Sequence, residues 1–486
     1  MRSAHRADIA SLSAIPGLTL PAFPPAAGTL IAQTASASVE AFLRAHFDDL
    51  RGPSEQKEAL FVAAFRQAHE KCRRAIIDAR PELIVAEEGP LKGVPVEEWS
   101  EADGQLMRES PDGGTTATVI ALVDGCSLVH AQCGDSNAML GGEVAAEGTP
   151  RAAQPRSPAT HRRPATSRLS GCERTVRISG EIEFNELIKE HSATNLDEYV
   201  RVQESPRGHR LQFVYCVEEL MDRGEAPKVF KLGAGGDVVA VKAERLPEVY
   251  PSLAPKNARG ELPAVLLAPE EEGFEPQNLA MTRSLGDFLM QVSRDPAFPA
   301  SHPTCTSHPA APTYLTTPLL PFLPPQSYGV SHEPEVIEVD LGEVADDLRR
   351  ITLVVASDGL WDVLEEEDAA MNALAAEEQP SAADAAAAAE RLRVRGADGT
   401  FAPSADGSVP TCAAPFFEKA LDRADELFDD AADNITAIVV TFTPGAAGAG
   451  GATASVASLP ARGAGAAPVT PKGASPTPLP AACFSV

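Results

Sequence analysis

The stretch Ile351-Thr-Leu-Val-Val-Ala-Ser-Asp-Gly-Leu-Trp-Asp-Val-Leu364 constrains this chain more than any other. Ile351 to Val355 is an apolar, β-branched run with the length and composition of a strand buried on both faces. It delivers Asp358 to the strand end. Gly359 then frees the backbone to turn sharply, and Leu360, Trp361, Val363 and Leu364 return the chain to the core. Taken alone, Asp-Gly after a strand reads equally as an ordinary turn. A second stretch, Ala431-Ala-Asp-Asn-Ile-Thr-Ala-Ile-Val-Val-Thr-Phe442, puts Asp433 at the head of another β-branched run. The two acids make a pair only if the fold brings the strand ends together around a cation.

These two stretches resemble the last two signatures of the metal-dependent PPM phosphatases, the type 2C protein serine/threonine phosphatases. There a "(A/S)SDG(L/I)WD" strand end and a "DN(I/M)T" strand start each give an aspartate to a divalent metal. Further matches follow the family's order. Gly113-Gly114-Thr115-Thr116-Ala117 is similar to "SG(S/T)TA", and Gly134-Asp135-Ser136-Asn137-Ala138 to "GDSRA". Asn278-Leu-Ala-Met-Thr-Arg-Ser-Leu-Gly-Asp-Phe288 is similar to "LAVSRALGDF", and Ser331-His-Glu-Pro-Glu-Val336 to a "PEV" strand entry.

The resemblance implies Asp358, Asp433, Asp287 and Asp135 as metal ligands, Asp135 for a more weakly held ion, with Gly359, Asn434 and Arg283 in support. Residue by residue, plainer readings stand beside these. Asp135 also reads as a β-turn carboxylate, and Arg283 with Asp287 as a helical ion pair. His191, in a segment faintly similar to the family's "DHKP", reads as a surface or capping histidine, and Glu365 to Asp368 as acids at a helix N-terminus.

Converging carboxylates require compensation. Two at about 4 Å repel by roughly 4 kcal/mol at an effective dielectric of 20, so a cluster needs cations or raised pKa values. Oxygen ligation without His or Cys points to Mg²⁺ or Mn²⁺. The implied reaction is hydrolysis of phosphoserine and phosphothreonine in a phosphorylated protein substrate by metal-activated water. One departure bears on activity. The family's "ER" pair and "DGHGG" turn, sources of a phosphate-gripping arginine, a bridging aspartate and an acid histidine, have no counterpart before the helix expected from Val39. Thr29 to Ser38 stands there instead, without Asp, His or Arg. An active phosphatase lacking an N-terminal piece in this chain and a pseudophosphatase acting as a protein-binding module are both consistent with that.

The implied fold is α+β, a central antiparallel β-sandwich flanked by helices. Val39, Phe42, Leu43, Phe47 and Leu50 predict one amphipathic helix capped by Ser36 or Ser38, and Phe61, Phe65, Ala68, Cys72 and Ile76 a second over about 55–79. Thr115–Val123, the Asp124-Gly125 turn and Ser127–Cys133 predict a β-hairpin. Phe417, Leu421, Ala424 and Phe428 predict a helix leading to Asp433. The expected organisation is an irregular segment over 1–35, a phosphatase-like domain over 36–443 with insertions near 141–180, 205–275, 291–328 and 378–411, and a disordered tail over 444–486.

A length of 486 residues and 44% hydrophobic content support a large core. The net charge of −28 argues against nucleic acid or anionic membrane as a partner, and leaves a phosphorylated substrate in need of a local positive centre. The 8 cysteines are scattered without Cys-x-x-Cys spacing, which suits a reducing compartment rather than a disulfide or zinc framework. No apolar stretch reaches the roughly 18–20 residues of a membrane span. Prolines at 16, 21, 24 and 25 break the N-terminal apolar run. A monomer in the cytoplasm or nucleus is expected, with organelle targeting left open.

Overall fold

The computed structural model describes residues 26–80, 83–85, 95–100, 106–109, 113–144 without 125–126, 174–178, 182–291 and 329–373 with short gaps, 414–428, 435, 437–442, 454–459 and 484–485. The chain opens with two helices, α1 (Ala26–Ala45) and α2 (Ser54–Ala79). There follow β1 (Ala117–Val123), β2 (Ser127–Cys133), β3 (Asn137–Val144), β4 (Arg174–Ile178) and β5 (Ile182–Glu186). After α3 (Leu196–Glu204) come β6 (Glu335–Asp340), β7 (Leu348–Ala356), α4 (Asp358–Val363) and α5 (Ala414–Phe428). Three strands close the order: β8 (Ala437–Phe442), β9 (Ala454–Leu459) and β10 (Phe484–Ser485).

The strands form two main antiparallel sheets, one in the order β6-β2-β1-β10 and one in the order β9-β8-β7-β3-β5-β4. Side chains alternate across each strand, and the burial pattern follows this period. Ile120 and Leu122 of β1 meet Leu353 and Val355 of β7 and Ile438 and Val440 of β8 between the sheets. The alternate residues Val119, Ala121 and Val123 face Phe61, Phe65 and Ala68 of α2. On the other outer face, Val354, Ala356, Ala437 and Val439 pack against Trp361 of α4 and Phe416 and Phe417 of α5. The result is a helix–sheet–sheet–helix sandwich of class α+β, as expected. Because β7 is covered on both faces, its run from Ile351 to Ala356 is buried throughout, Thr352 included.

The hairpin forms between Ala117–Val123 and Ser127–Cys133, with Val123 opposite Ser127 and Asp124 in the left-handed region at φ 51°, whereas Thr115 belongs to a separate short strand paired with Leu285–Gly286. The second helix also matches its expectation and ends before Pro81, whose ring cannot continue it. The first helix differs. It begins at Ala26, so Thr29 to Ser38 lies within it, and neither Ser36 nor Ser38 caps it. Ile31, Ala35, Val39 and Leu43 form one stripe toward α2. The alanine-rich run favours helix beyond the first large apolar residue, while Phe47 and Leu50 belong to a separate 3₁₀ turn, Phe47–Arg51.

Two expected insertions hold regular structure. The 141–180 segment begins with the end of β3 and contains β4. The 205–275 segment contributes to a three-stranded sheet of Gln212–Tyr215, Ala264–Leu267 and Asn278–Leu279, and holds a hairpin of Phe230–Leu232 and Val238–Ala240. Phe213, Tyr215, Phe230 and Leu266 give it a core of its own. Strands this short leave little periodic signal in a sequence. Within the expected tail, β9 pairs with β8 and β10 with β1. The insertions expected near 291–328 and 378–411 lie almost wholly outside the described residues. Among the described residues no helix is long and apolar enough to cross a membrane.

Candidate functional site

Register builds the site. Ala356 of β7 stands opposite Asn137 of β3, so Asp358, two residues past one, and Asp135, two residues before the other, leave the sheet at the same end. Ala356 also stands opposite Ala437 of β8, which brings the chain following Asp433 to that end. Asp433 and Asn434 themselves lie outside the described residues.

Each support is fixed. Gly134 has φ 114°, and a Cβ there would lie 2.3 Å from the Thr116 side chain, so only glycine fits the turn carrying Asp135. The Gly134 N–H donates to His191 Nδ1 at 3.2 Å, and its carbonyl accepts the His191 N–H at 3.1 Å. Thr118 Oγ1 donates to the Ser136 carbonyl at 2.9 Å. Across the site, the Gly359 N–H donates to Asp358 Oδ1 at 2.9 Å. Buried Trp361 donates through Nε1 to the Ala356 carbonyl at 3.2 Å, holding α4 against the strand it follows.

The Asp358 carboxylate repels that of Asp135. Burial and the neighbouring Asp358 push the Asp135 carboxyl well above its ordinary range, and burial also raises Asp358. Asp362, one helical turn beyond Asp358, is pushed up to about 7, by burial first. Burial raises Glu190 as well. The cation facing all four is Lys256. Burial disfavours its ammonium, but Glu190, Asp362, Asp135 and Asp358 together outweigh that and raise its pKa. Sequence reading missed Asp362, Glu190 and Lys256. Of these, Asp362 had a signal, since residues four apart on a helix share a face, whereas Lys256 sits in a segment with no readable period.

Asp287 sits at the same end of the sandwich, on a turn of its own. Its φ is 44°, its N–H donates to the Gly113 carbonyl at 3.1 Å, and its carboxylate lies over Gly114, where a Cβ would come within 1.8 Å of Oδ2. Arg283, expected to orient or pair with Asp287, is instead committed to buried Glu198, through Nη2 at 2.7 Å and Nε at 3.2 Å. Arg201 grips the same carboxylate from the other side at 2.7 Å. Burial alone would raise the Glu198 pKa, but these two guanidinium groups outweigh it and hold the carboxyl well below the usual range. His191 is not at the surface. It is fully buried behind Gly134, with Nε2 3.4 Å from Glu335, and burial lowers its pKa.

The donor chemistry fits a hard divalent cation. The acids present only oxygen, and their raised pKa values mark uncompensated charge that a cation would offset. Among the described residues no group of three or more His, Cys, Asp or Glu side chains stands close enough to enclose an ion.

Among known families, the model for protein phosphatase 2C matches residues 271–400, a span holding both the Asn278–Phe288 and Ile351–Leu364 motifs. No curated protein matches the chain. Solved structures that align with it include serine-threonine phosphatase 2C from Toxoplasma gondii, 14% identical over 87% of this chain and 82% of that one, with a TM-score of 0.36. The catalytic domain of the serine threonine protein phosphatase PstP in complex with 2 manganese ions aligns at 15% identity over 84% of this chain and 80% of that one, TM-score 0.28. The Mycobacterium tuberculosis phosphatase PstP/Ppp aligns at 14% identity, 85% and 82% coverage and TM-score 0.28. Over residues 271–400 this chain is similar to the type 2C protein phosphatases, and both motifs within that span belong to the matched stretch.

Proposed function

We propose that this chain is a metal-dependent protein serine/threonine phosphatase that hydrolyses phosphoserine and phosphothreonine esters with Mg²⁺ or Mn²⁺. The observation that supports this reading is the juxtaposition of buried Asp135 and half-buried Asp358 at paired strand ends, with more negative charge than their surroundings balance. Asp358 and Asp135 would hold the cation, with Asp362 beside them, and β8, which follows Asp433 in the sequence, starts at the same end. When bound, the cation supplies an activated water and offsets charge on the phosphoryl oxygens.

The chain's own residues divide the remaining work. Gly359 fixes one Asp358 oxygen by its N–H and leaves the other free to face the cluster. Gly134 and His191 lock the turn that aims Asp135, so His191 is a positioning residue, and its buried ring is not placed to protonate a leaving group. Asp287 holds the Gly113-Gly114 turn against the start of the sandwich. Lys256 and Arg259 are the positive centres around the acids, which an acidic protein requires if a phosphate is to approach.

The test is hydrolysis of a phosphothreonine peptide by the purified chain over a Mn²⁺ series, with Asp358→Asn as control. Turnover that rises with Mn²⁺ and falls at least about a hundredfold in Asp358→Asn, roughly 2.7 kcal/mol of transition-state stabilisation, supports the proposal. Folded protein without turnover at any Mn²⁺ concentration contradicts it.

A further inference from the structure

Two turns that carry aspartates are gripped in the same way. In Gly134-Asp135 the glycine N–H donates to His191 Nδ1 at 3.2 Å, and the glycine carbonyl accepts from Gln132 Nε2 at 3.3 Å. In Gly286-Asp287 the glycine N–H donates to His69 Nδ1 at 3.2 Å, and the glycine carbonyl accepts from Gln291 Nε2 at 2.8 Å. Both glycines hold a positive φ, 114° and 96°, and at Gly286 a Cβ would lie 2.5 Å from the Gly113 carbonyl oxygen. The gripping residues come from separate elements, His69 from α2, Gln132 from β2 and His191 from the segment between β5 and α3. One short stretch touches both turns. Gly113 accepts the Asp287 N–H at 3.1 Å, Gly114 pairs with Gly286, and Thr116 Oγ1 bonds Ser136 Oγ at 2.9 Å. From Gly114 to Thr116 is about 7 Å of extended chain. Around Gly286 the grip closes into a ring, because Gln291 Oε1 bonds His332 Nδ1 at 3.0 Å and His332 stacks on His69 at 4.3 Å between centroids.

From this repeated geometry we propose that His69 and Gln291 are positioning residues of Asp287, as His191 and Gln132 are of Asp135, so that both aspartates are held toward the same end of the sandwich for the cation. The inference rests on the metal-dependent reading above. Gripping the peptide units on both sides of each glycine fixes the direction of the next Cα–Cβ bond, and so of the carboxylate it carries. The grip also fixes the rings. A backbone N–H can only donate, so Nδ1 of His69 and of His191 must carry the lone pair and Nε2 the proton. Gln291 spends its amide hydrogens on the Ser284 and Gly286 carbonyls, so its Oε1 accepts from His332 Nδ1, and His332 is held in the opposite tautomer.

Long-range nitrogen–proton NMR of the imidazole rings in the metal-free full chain reads these tautomers directly. A bare Nδ1 and a protonated Nε2 in both His69 and His191, with the reverse in His332, is the expected signature. A proton on His69 Nδ1 overturns the proposal. The second arm is Mn²⁺-dependent hydrolysis of the phosphothreonine peptide by His69→Phe, which retains an aromatic ring but loses the acceptor, and by His69→Asn, whose carboxamide oxygen can take the place of Nδ1. His69→Phe is expected to raise the Mn²⁺ concentration for half-maximal turnover about tenfold or more at unchanged KM for the peptide, and His69→Asn to restore it. Gln291→Leu, which removes the donor on the other side of the glycine, should shift that concentration in the same direction. A histidine that served packing alone would lower the melting temperature and leave the Mn²⁺ dependence unmoved. If wild type requires Mn²⁺ and folded His69→Phe or Gln291→Leu requires no more of it, the positioning role is overturned and the metal reading stands. If folded wild type shows no Mn²⁺-dependent turnover, the metal reading falls and the inference with it.

Discussion

Two acid centres among the described residues are built in opposite ways. Glu198 is one carboxylate between two guanidinium groups, with Thr282 Oγ1 as a further donor at 2.5 Å, and its pKa is held down. Asp135, Asp358, Asp362 and Glu190 outnumber the two cations beside them, Lys256 and Arg259, and their pKa values are raised. Burial acts the same way on both, so the difference lies in the count of charges. The balanced centre joins α3 to the Arg283 loop and is complete as it stands. The unbalanced centre carries a standing cost that a bound cation would relieve, which distinguishes a site for chemistry from a structural ion pair.

The comparison breaks first at Glu198. Glu198→Gln leaves two guanidinium groups without their shared charge, and an expected loss of about 3–5 kcal/mol in urea denaturation follows. A loss below 1 kcal/mol would show that this centre is not the balanced pair described. Since its pKa is depressed, the stability contributed by Glu198 is present above the unfolded value near 4.5 and is lost as the pH falls below it.

Gly134→Ala sharpens the contrast from the other side. Left-handed strain and the Thr116 contact should cost about 1–3 kcal/mol. Because the turn aims Asp135, Mn²⁺ affinity should fall as well. A destabilised variant that keeps wild-type Mn²⁺ affinity would detach Asp135 from the site.

A smaller effect tests the core between the sheets. His130 is fully buried, and burial lowers its pKa to about 3. The fold therefore binds fewer protons than the unfolded chain below pH 6.5, and stability should fall by about 1.4 kcal/mol per pH unit on acidification from there. His130→Leu should reduce that slope in chemical denaturation between pH 6.5 and 5, and an unchanged slope would assign the acid sensitivity elsewhere.

Much of the frame is legible in the sequence because β7, α2 and the hairpin of β1 and β2 carry strong periods. The acid-bearing ends of β3 and β7 are legible for the same reason, since each follows or precedes an unbroken apolar strand. What escapes depends on contacts distant in sequence. Nothing around Lys256 announces that Ala258 will bond α4 more than 100 residues away, and nothing near Arg283 announces Glu198. The start of α1 escapes for a different reason. Its first turns hold small residues whose helical preference is intrinsic rather than periodic, so a search for apolar stripes finds only the later half.

The most direct test of the unbalanced centre is the melting temperature of wild type and Asp358→Asn in EDTA and over a Mn²⁺ series. Selective binding to the folded state must raise the melting temperature by mass action, and removing one of the repelling carboxylates must relieve the metal-free fold. The account predicts that Mn²⁺ stabilises wild type in a saturable manner, while Asp358→Asn melts higher than wild type in EDTA and gains nothing from Mn²⁺. Equal Mn²⁺ stabilisation of the two proteins, or a lower EDTA melting temperature for Asp358→Asn, would contradict it.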